Sequence, residues 1–352
     1  MSKPVLSVII PYYNGEVYIE NTVKSVLKST LKDLEILLID DGSPGTSGTI
    51  CDYLACKYNN LHTIHKENGG IADARNRGVR EAKGKYITFV DQDDTIEPEM
   101  YSSLIDILEK YDCDLISSNF NTIDVSTGKR KKADTIRKDE LLSEKEIKKL
   151  RKWLVMGEVM PSPEVRIPPN IWNCIISSDL VNRNNIRFES FIRYDDDWVF
   201  LLRCLAYSKN VFLCEQAYYN WMIHDASESH TAKYMPDIVE RYENLKKFKL
   251  EYIKNWCSAT DEEIESFAAY FNVNTVYVTI CNESVSGNKL SVRRQVVRDV
   301  IQRNKSKHLT KETEQHAINA LIKKKGNRAG LIYKLAEHHF YYLALAVCRV
   351  KR

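Results

Sequence analysis

The stretch "GKYITFVDQDDTIEP" (residues 84–98) holds the reading on which the fold turns. Tyr86-Ile87-Thr88-Phe89-Val90 is β-branched and aromatic with no polar alternation, the composition of a strand buried on both faces. It runs straight into Asp91, Gln92, Asp93 and Asp94. Three carboxylates at the end of a buried strand repel one another and cost stability unless something cationic offsets them. The segment therefore predicts a sheet with a charged edge that awaits a cation.

The flanking sequence repeats the same alternation. Residues 5–10 ("VLSVII"), 35–40 ("EILLID") and 61–65 ("LHTIH") read as strands, and 114–118 ("DLISS") continues the series. Helical patterns lie between them over 16–27, up to about residue 57, over 70–82 and over 97–108. Strands alternating with helices of this length imply βαβ units, hence an α/β fold with a mostly parallel sheet and helices on both faces. Open sheets of this kind bind ligands just beyond the carboxyl ends of their strands. Those ends read Pro11-Tyr12-Tyr13-Asn14-Gly15, Asp40-Asp41-Gly42-Ser43 and Asp91-Gln92-Asp93-Asp94. One acidic end is commonly a helix N-cap; two on one sheet edge point to a site. The glycine fingerprint of a dinucleotide-binding fold and the GxxxxGK[ST] phosphate loop are both missing after the first strand.

Composition narrows the class. The chain has 352 residues, 43% apolar and 28% charged, enough to bury a large core and to carry more than one unit. No apolar run approaches the ~18–20 residues that cross a bilayer, and Met-Ser-Lys-Pro followed by a strand lacks the build of a signal peptide. Nine cysteines show no CxxC pair or zinc spacing and read as reduced core residues of a cytoplasmic protein. Net charge is +3, but residues 287–352 hold 16 Lys/Arg against 4 Asp/Glu, so the remainder carries −9.

Four segments together carry a family resemblance: "LSVIIPYYNGEVYIENTVKSVL", "EILLIDDGSPGTS", "ENGGIADARNRGVREAKGKYITFVDQDD" and "IRYDDDWVFLLR". They resemble the family 2 glycosyltransferases of bacteria, which have a GT-A fold. The likeness is specific over about residues 4–120, looser over 160–230 and absent beyond about 235. It implies a catalytic domain over 1–230, with a nucleotide-binding half (1–120) and an acceptor half (121–230), followed by a helical region over 231–352. It implies an inverting hexosyl- or N-acetylhexosaminyl-transferase that moves a sugar from a nucleotide donor, a UDP-sugar, to a surface polysaccharide, glycolipid or anionic glycopolymer.

The resemblance also assigns residues. Asp91-Gln92-Asp93 would be the DxD element: Asp93 facing Mn²⁺ or Mg²⁺, Asp91 the metal or the ribose, with Gln92 beside the nucleotide. Oxygen ligands at this spacing suit a hard ion rather than zinc. Asp94 would join them or cap the following helix. Asp41 would accept the uracil N3–H, with Pro11, Tyr13 and Asn14 lining the base pocket and Arg75 pointing toward the nucleotide. Gly69-Gly70 would let the backbone pass close to the ligand. Phe200 and Arg203 place the base at Asp197, with Asp196 where the family usually has Glu. Cys174, after Trp172-Asn173, stands where many relatives carry Lys. His224 in "YYNWMIHDASES" (218–229) is either a further ligand of the metal or pyrophosphate, or structural.

Two other classes compete on sequence. A sugar-phosphate nucleotidyltransferase should show a Gly-rich loop with Arg and Lys after the first strand, which "PYYNGEVY" lacks. A non-catalytic sugar-binding protein on the same fold should have lost Asp93 or Asp197. Beyond residue 235, apolar residues recur at helical spacing over 236–256, 261–283, 289–304, 310–324 and 328–348. The last stretch, with terminal Arg349, Lys351 and Arg352, reads either as a helix packed on the body or as one lying at an anionic membrane face. Nucleic acid is not an expected partner.

Overall fold

The structure, a computed structural model, describes residues 3–192, 195–224, 234–305 and 310–349. It divides into two compact units: Met1–Leu150 with Glu164–Ser227, and Arg151–Pro163 with Glu228–Arg352.

The first unit opens with β1 (Leu6–Tyr12), α1 (Ile19–Leu27), β2 (Leu34–Asp40), α2 (Thr49–Lys57), β3 (Leu61–His65), α3 (Ile71–Glu81) and β4 (Tyr86–Phe89). There follow β5 (Thr95–Ile96), α4 (Met100–Tyr111), β6 (Leu115–Asp124), β7 (Arg130–Lys132), β8 (Glu140–Leu142) and α5 (Glu144–Met156), of which the residues from Arg151 on belong to the second unit. The unit closes with β9 (Cys174–Ser177), α6 (Ser178–Arg183), α7 (Asp196–Tyr207) and β10 (Val211–Ile223). The strands form one sheet in the order β3-β2-β1-β4-β9-β6-β10-β5, with β7 on β6 and β8 on β10. β3, β2, β1 and β4 run parallel, β9 is inserted antiparallel between β4 and β6, and β6 and β10 are again parallel.

That order contains a switch point. The chain leaves β1 for β2 and β3 on one side, then crosses to β4 on the other. The crevice where the order reverses is where an open α/β sheet takes its ligand. Every residue of β1, β2 and β4 is buried, and polar residues gather where these strands end. α3 lies close on β1 because Gly78 has no side chain: a Cβ there would come within 2.3 Å of Ile9 Cγ2. The same buried helix face carries Arg75.

The second unit is helical: α8 (Ile238–Trp256), α9 (Asp261–Ser284), α10 (Leu290–Lys305), α11 (Lys311–Lys325), α12 (Asn327–Glu337) and α13 (Tyr341–Arg349). α9 is buried round most of its circumference, as a central helix must be. It starts with a capping box, Thr260 with Glu263, and Glu263 also pairs with Lys152 at 2.6 Å. Lys249 reaches Glu158 at 3.2 Å. Residues 151–163, which the sequence reading leaves in the first domain, thus pack with the helices.

The helix expected over 328–348 is two helices. His339 takes a left-handed φ of 69°, the Phe340 N–H donates to Leu335 O at 2.8 Å and the His339 N–H to Ala336 O at 3.0 Å. This is a Schellman C-cap with His where Gly is usual. Both pieces pack on α9 through residues such as Ile332, Ala336, Ala344 and Leu345. Lys351 and Arg352, and the side chain of Arg349, lie outside the described residues, as do 225–229 of the segment read as closing the site.

Of the nine cysteines, Cys51, Cys113, Cys174, Cys204, Cys214 and Cys257 are core residues as expected, whereas Cys56 is exposed and Cys281 and Cys348 are half-buried.

Candidate active site

The strand ends at the switch point bring three groups of residues together. The first is centred on Asp41, which directly follows β2. Its amide donates to Tyr12 O at 2.9 Å, and its carboxylate is buried. Oδ1 accepts from Lys66 Nζ at 2.5 Å and from Gly69 N at 3.0 Å; Oδ2 accepts from Gly70 N at 2.7 Å. The amides of Gly69 and Gly70 are therefore spent on Asp41, and Gly70 holds a φ of 85° that only glycine adopts readily. A carboxylate offers about four acceptor positions, which leaves one on Asp41. Beside it Pro11 is buried in β1, Tyr13 is 49% exposed, and Asn14 turns through a φ of 49° with its amide on Ser43 Oγ. Lys66 gave no signal in the sequence, one lysine among many.

Arg75 is the centre of the second group. Its side chain is 3% exposed. Nη1 donates to Asp196 Oδ2 at 2.6 Å and to Asp197 Oδ1 at 2.5 Å, and Nη2 to Asp91 Oδ1 at 2.9 Å. Burial opposes its charge, but Asp197, Asp91 and Asp196 outweigh burial and hold its pKa above the usual value. The cation that offsets Asp91 is thus supplied by the chain itself, and both ends of the guanidinium are engaged by carboxylates rather than left for a nucleotide.

The acidic turn of α7 splits into three jobs. Asp195 accepts from Ser190 Oγ and from the amides of Phe191 and Ile192, fixing the approach to the helix. Asp196, 6% exposed, is committed to Arg75. That makes it a positioning residue, where the sequence reading placed it beside the base. Asp197 is 18% exposed, with Oδ2 3.4 Å from Ile171 N. Burial pushes its pKa up to about 7; Arg75 pulls down, and Asp196 and Asp91 push up. A carboxyl poised there is about half ionised at neutral pH, and its ionised form is basic enough to take a proton.

The third group follows β4. Gln92 clasps the backbone of Tyr13, Oε1 accepting from its N–H at 2.9 Å and Nε2 donating to its O at 3.2 Å, so it holds the β1 loop. Asp94 neither caps a helix, since α4 starts at Met100, nor points outward. Its carboxyl accepts from Tyr219 Oη at 2.7 Å and from Met222 N at 2.7 Å. Burial first, then Asp91 and Asp93, raise its pKa well above the carboxylate range. Tyr219 Oη in turn accepts from Asp91 N at 3.1 Å. Asp93 Oδ2 meets His224 Nε2 at 2.8 Å, and the His224 ring stacks on Tyr18 at 4.8 Å. Trp172 stacks on Tyr219 at 4.3 Å, and Cys174 is wholly buried.

The residues fit a hard divalent ion only in part. Among the described residues no three His, Cys, Asp or Glu side chains are gathered so as to hold one. Asp93 and His224 do converge, and two neighbouring ligands of an octahedral ion with ~2.0–2.1 Å bonds lie about 3 Å apart. One or two protein ligands completed by substrate phosphates is the usual way Mg²⁺ is bound.

Residues 7–162 match the family model described as "Glycosyl transferase family 2". An uncharacterized glycosyltransferase, EpsJ of Bacillus subtilis (strain 168), is 30% identical over 217 residues, covering 61% of this chain and 60% of that protein. Another, YibD of Escherichia coli (strain K12), is 31% identical over 227 residues, 64% of this chain and 63% of its own length. The chain thus spans less than two thirds of these relatives. The crystal structure of S. aureus TarS 1-349 in complex with UDP-GlcNAc superposes with a TM-score of 0.64 at 18% identity, covering 97% of this chain and 90% of that one, which shows the GT-A fold. By the match over residues 7–162 and by these relatives, the chain is similar to glycosyl transferase family 2.

Proposed function

We propose that the protein transfers a sugar, with inversion, from a UDP-sugar to a hydroxyl of a glycan, glycolipid or anionic glycopolymer. The observation that carries this is Asp197: a carboxyl with its pKa raised to about 7, held by Arg75 next to Asp91 at the switch point. Inversion needs one base to take the acceptor proton, and a retaining covalent route would need a carboxylate nucleophile as well.

In this reading Asp41 accepts the uracil N3–H on its remaining position, with Pro11, Tyr13 and Asn14 around the base. The UDP-GlcNAc complex of the TarS fold neighbour supports a uridine donor. Asp93 and His224 would hold Mn²⁺ or Mg²⁺, with Asp91 beside them. Such an ion supplies Lewis-acid stabilisation to the departing diphosphate. Asp197 removes the acceptor proton, Arg75 and Asp196 keep Asp197 aimed, and Gln92 fixes the loop that carries Tyr13.

The test is UDP release from a panel of UDP-sugars with Mn²⁺ or Mg²⁺. At least one donor should be hydrolysed, EDTA should stop the reaction, and Asp93→Ala should abolish it with unchanged thermal unfolding. Turnover that survives EDTA, or full activity in Asp93→Ala, sinks the metal assignment; no turnover with any donor sinks the reading.

The helices after residue 287 suit an anionic surface. Among the described residues no helix is long and apolar enough to cross a membrane, but Leu331 on α12, Phe340 in the turn after it, and Tyr342 and Leu343 on α13 stand exposed within the stretch of 16 Lys/Arg. Each basic residue near such a surface contributes about 1 kcal/mol. Deleting 328–352 would remove core residues of the second unit, so the cleaner variant is Phe340→Glu with Leu343→Glu. It should bind anionic vesicles more weakly at low salt; equal binding to neutral vesicles by the parent protein would rule the surface out.

A further inference from the structure

Besides buried Cys257, the second unit holds two half-buried thiols that the proposed reaction does not use. Cys281 lies in α9 and Cys348 in α13, 67 residues apart in sequence, with their Sγ atoms 2.9 Å apart. That is within about 1 Å of the ~2.05 Å of an S–S bond, so closure asks for a small shift of two packed helices. Both side chains are half-buried, unlike the six cysteines sealed in the core, which leaves room for a small reagent to enter. Arg328 donates through Nε at 3.1 Å, and through Nη2, to the carbonyl of Val347, the residue before Cys348.

We propose that Cys281 and Cys348 are a redox-responsive pair that closes into a disulfide and fastens α13 to α9. The oxidant is a low-molecular-weight disulfide. The Cys348 thiolate attacks one of its sulfurs, forming a mixed disulfide and expelling one thiolate, which takes up a proton. The Cys281 thiolate then attacks Cys348 Sγ and expels the second. Two protein thiols are oxidised, and one external disulfide is reduced to two thiols. The closed loop spans α10, α11 and α12, so the bond restrains most of the unit.

Full-length protein incubated with oxidised glutathione, alkylated without reductant and digested should yield one crosslinked product joining the Cys281 and Cys348 peptides. The intact mass should fall by about 2 Da and return with dithiothreitol. Oxidised protein should melt several degrees above reduced protein, and Cys348→Ser should lose both the crosslink and the rise. The proposal is overturned if both cysteines stay alkylatable in the oxidised wild-type protein. It is equally overturned if the only crosslink runs through exposed Cys56, or if Cys348→Ser keeps the rise.

Discussion

Asp197→Asn is expected to lower kcat by about 10²–10⁴, the usual contribution of a positioned general base, with donor affinity changed little. Asn keeps an acceptor for Arg75 Nη1, so the packing of α7 should survive and circular dichroism should match the parent. What it removes is a base whose pKa burial has raised to about 7. The same shift fixes the pH profile. Only the ionised carboxylate accepts a proton, so kcat/KM of the parent should rise about tenfold per pH unit below 7 and level off above it. In Asp197→Asn that limb should vanish. Asp196→Asn should cost less, because Asp196 acts only through Arg75. If Asp196→Asn proves the more damaging, or if the Asp197→Asn loss falls on donor binding, the base has been misassigned.

Arg75→Gln is expected to be the most destabilising single change in the first unit. It leaves Asp91, Asp196 and Asp197 gathered round a buried site with no counter-charge. Removing one partner of a buried ion pair costs about 3–5 kcal/mol. The sign of the pH dependence follows from the carboxylates. Burial already raises the folded pKa values of Asp91 and Asp197; without Arg75 these two rise further above the unfolded values, so the folded state binds more protons and loses stability as pH rises. The deficit in urea should therefore be largest near pH 8 and shrink near pH 5. Arg75→Lys should not restore the parent, since one ammonium cannot span three carboxylates as a planar fork does. Parent-like stability of Arg75→Gln at pH 8 would mean that the cluster is not what holds α7 to α3.

The strands and their acidic ends were legible because each is an unbroken apolar run that stops abruptly, and burial on both faces leaves no other reading for Tyr86–Phe89. The partners at those ends were not. Arg75 and Asp196 are 121 residues apart, and a helix-borne arginine in sequence looks like any solvated one. The same applies to Asp94 and Tyr219, 125 residues apart: the acid reads as a ligand or cap until the strand that covers it is placed. The family motif gave Asp197 its role, but its raised pKa comes from burial, which no local pattern reports. The break at His339 escaped because the left-handed residue that ends α12 is neither Gly nor Asn.

Asp94 gives the two candidate ion ligands a common anchor. It lies next to Asp93 in the chain, and its bonds to Tyr219 Oη and Met222 N hold β10 two residues short of His224. Asp93 and His224 come from segments 131 residues apart, yet their spacing is set when the sheet folds, before any ion arrives. In the proposed metal site the two would act as a preassembled pair of ligands: the entropy of bringing them together would be lost in folding, not in binding. Two donors alone still bind weakly, so retention of the ion should depend on the diphosphate that completes its coordination. Loss of the nucleotide after transfer would then release the ion with it, so that nucleoside diphosphate and metal would leave the crevice as one complex.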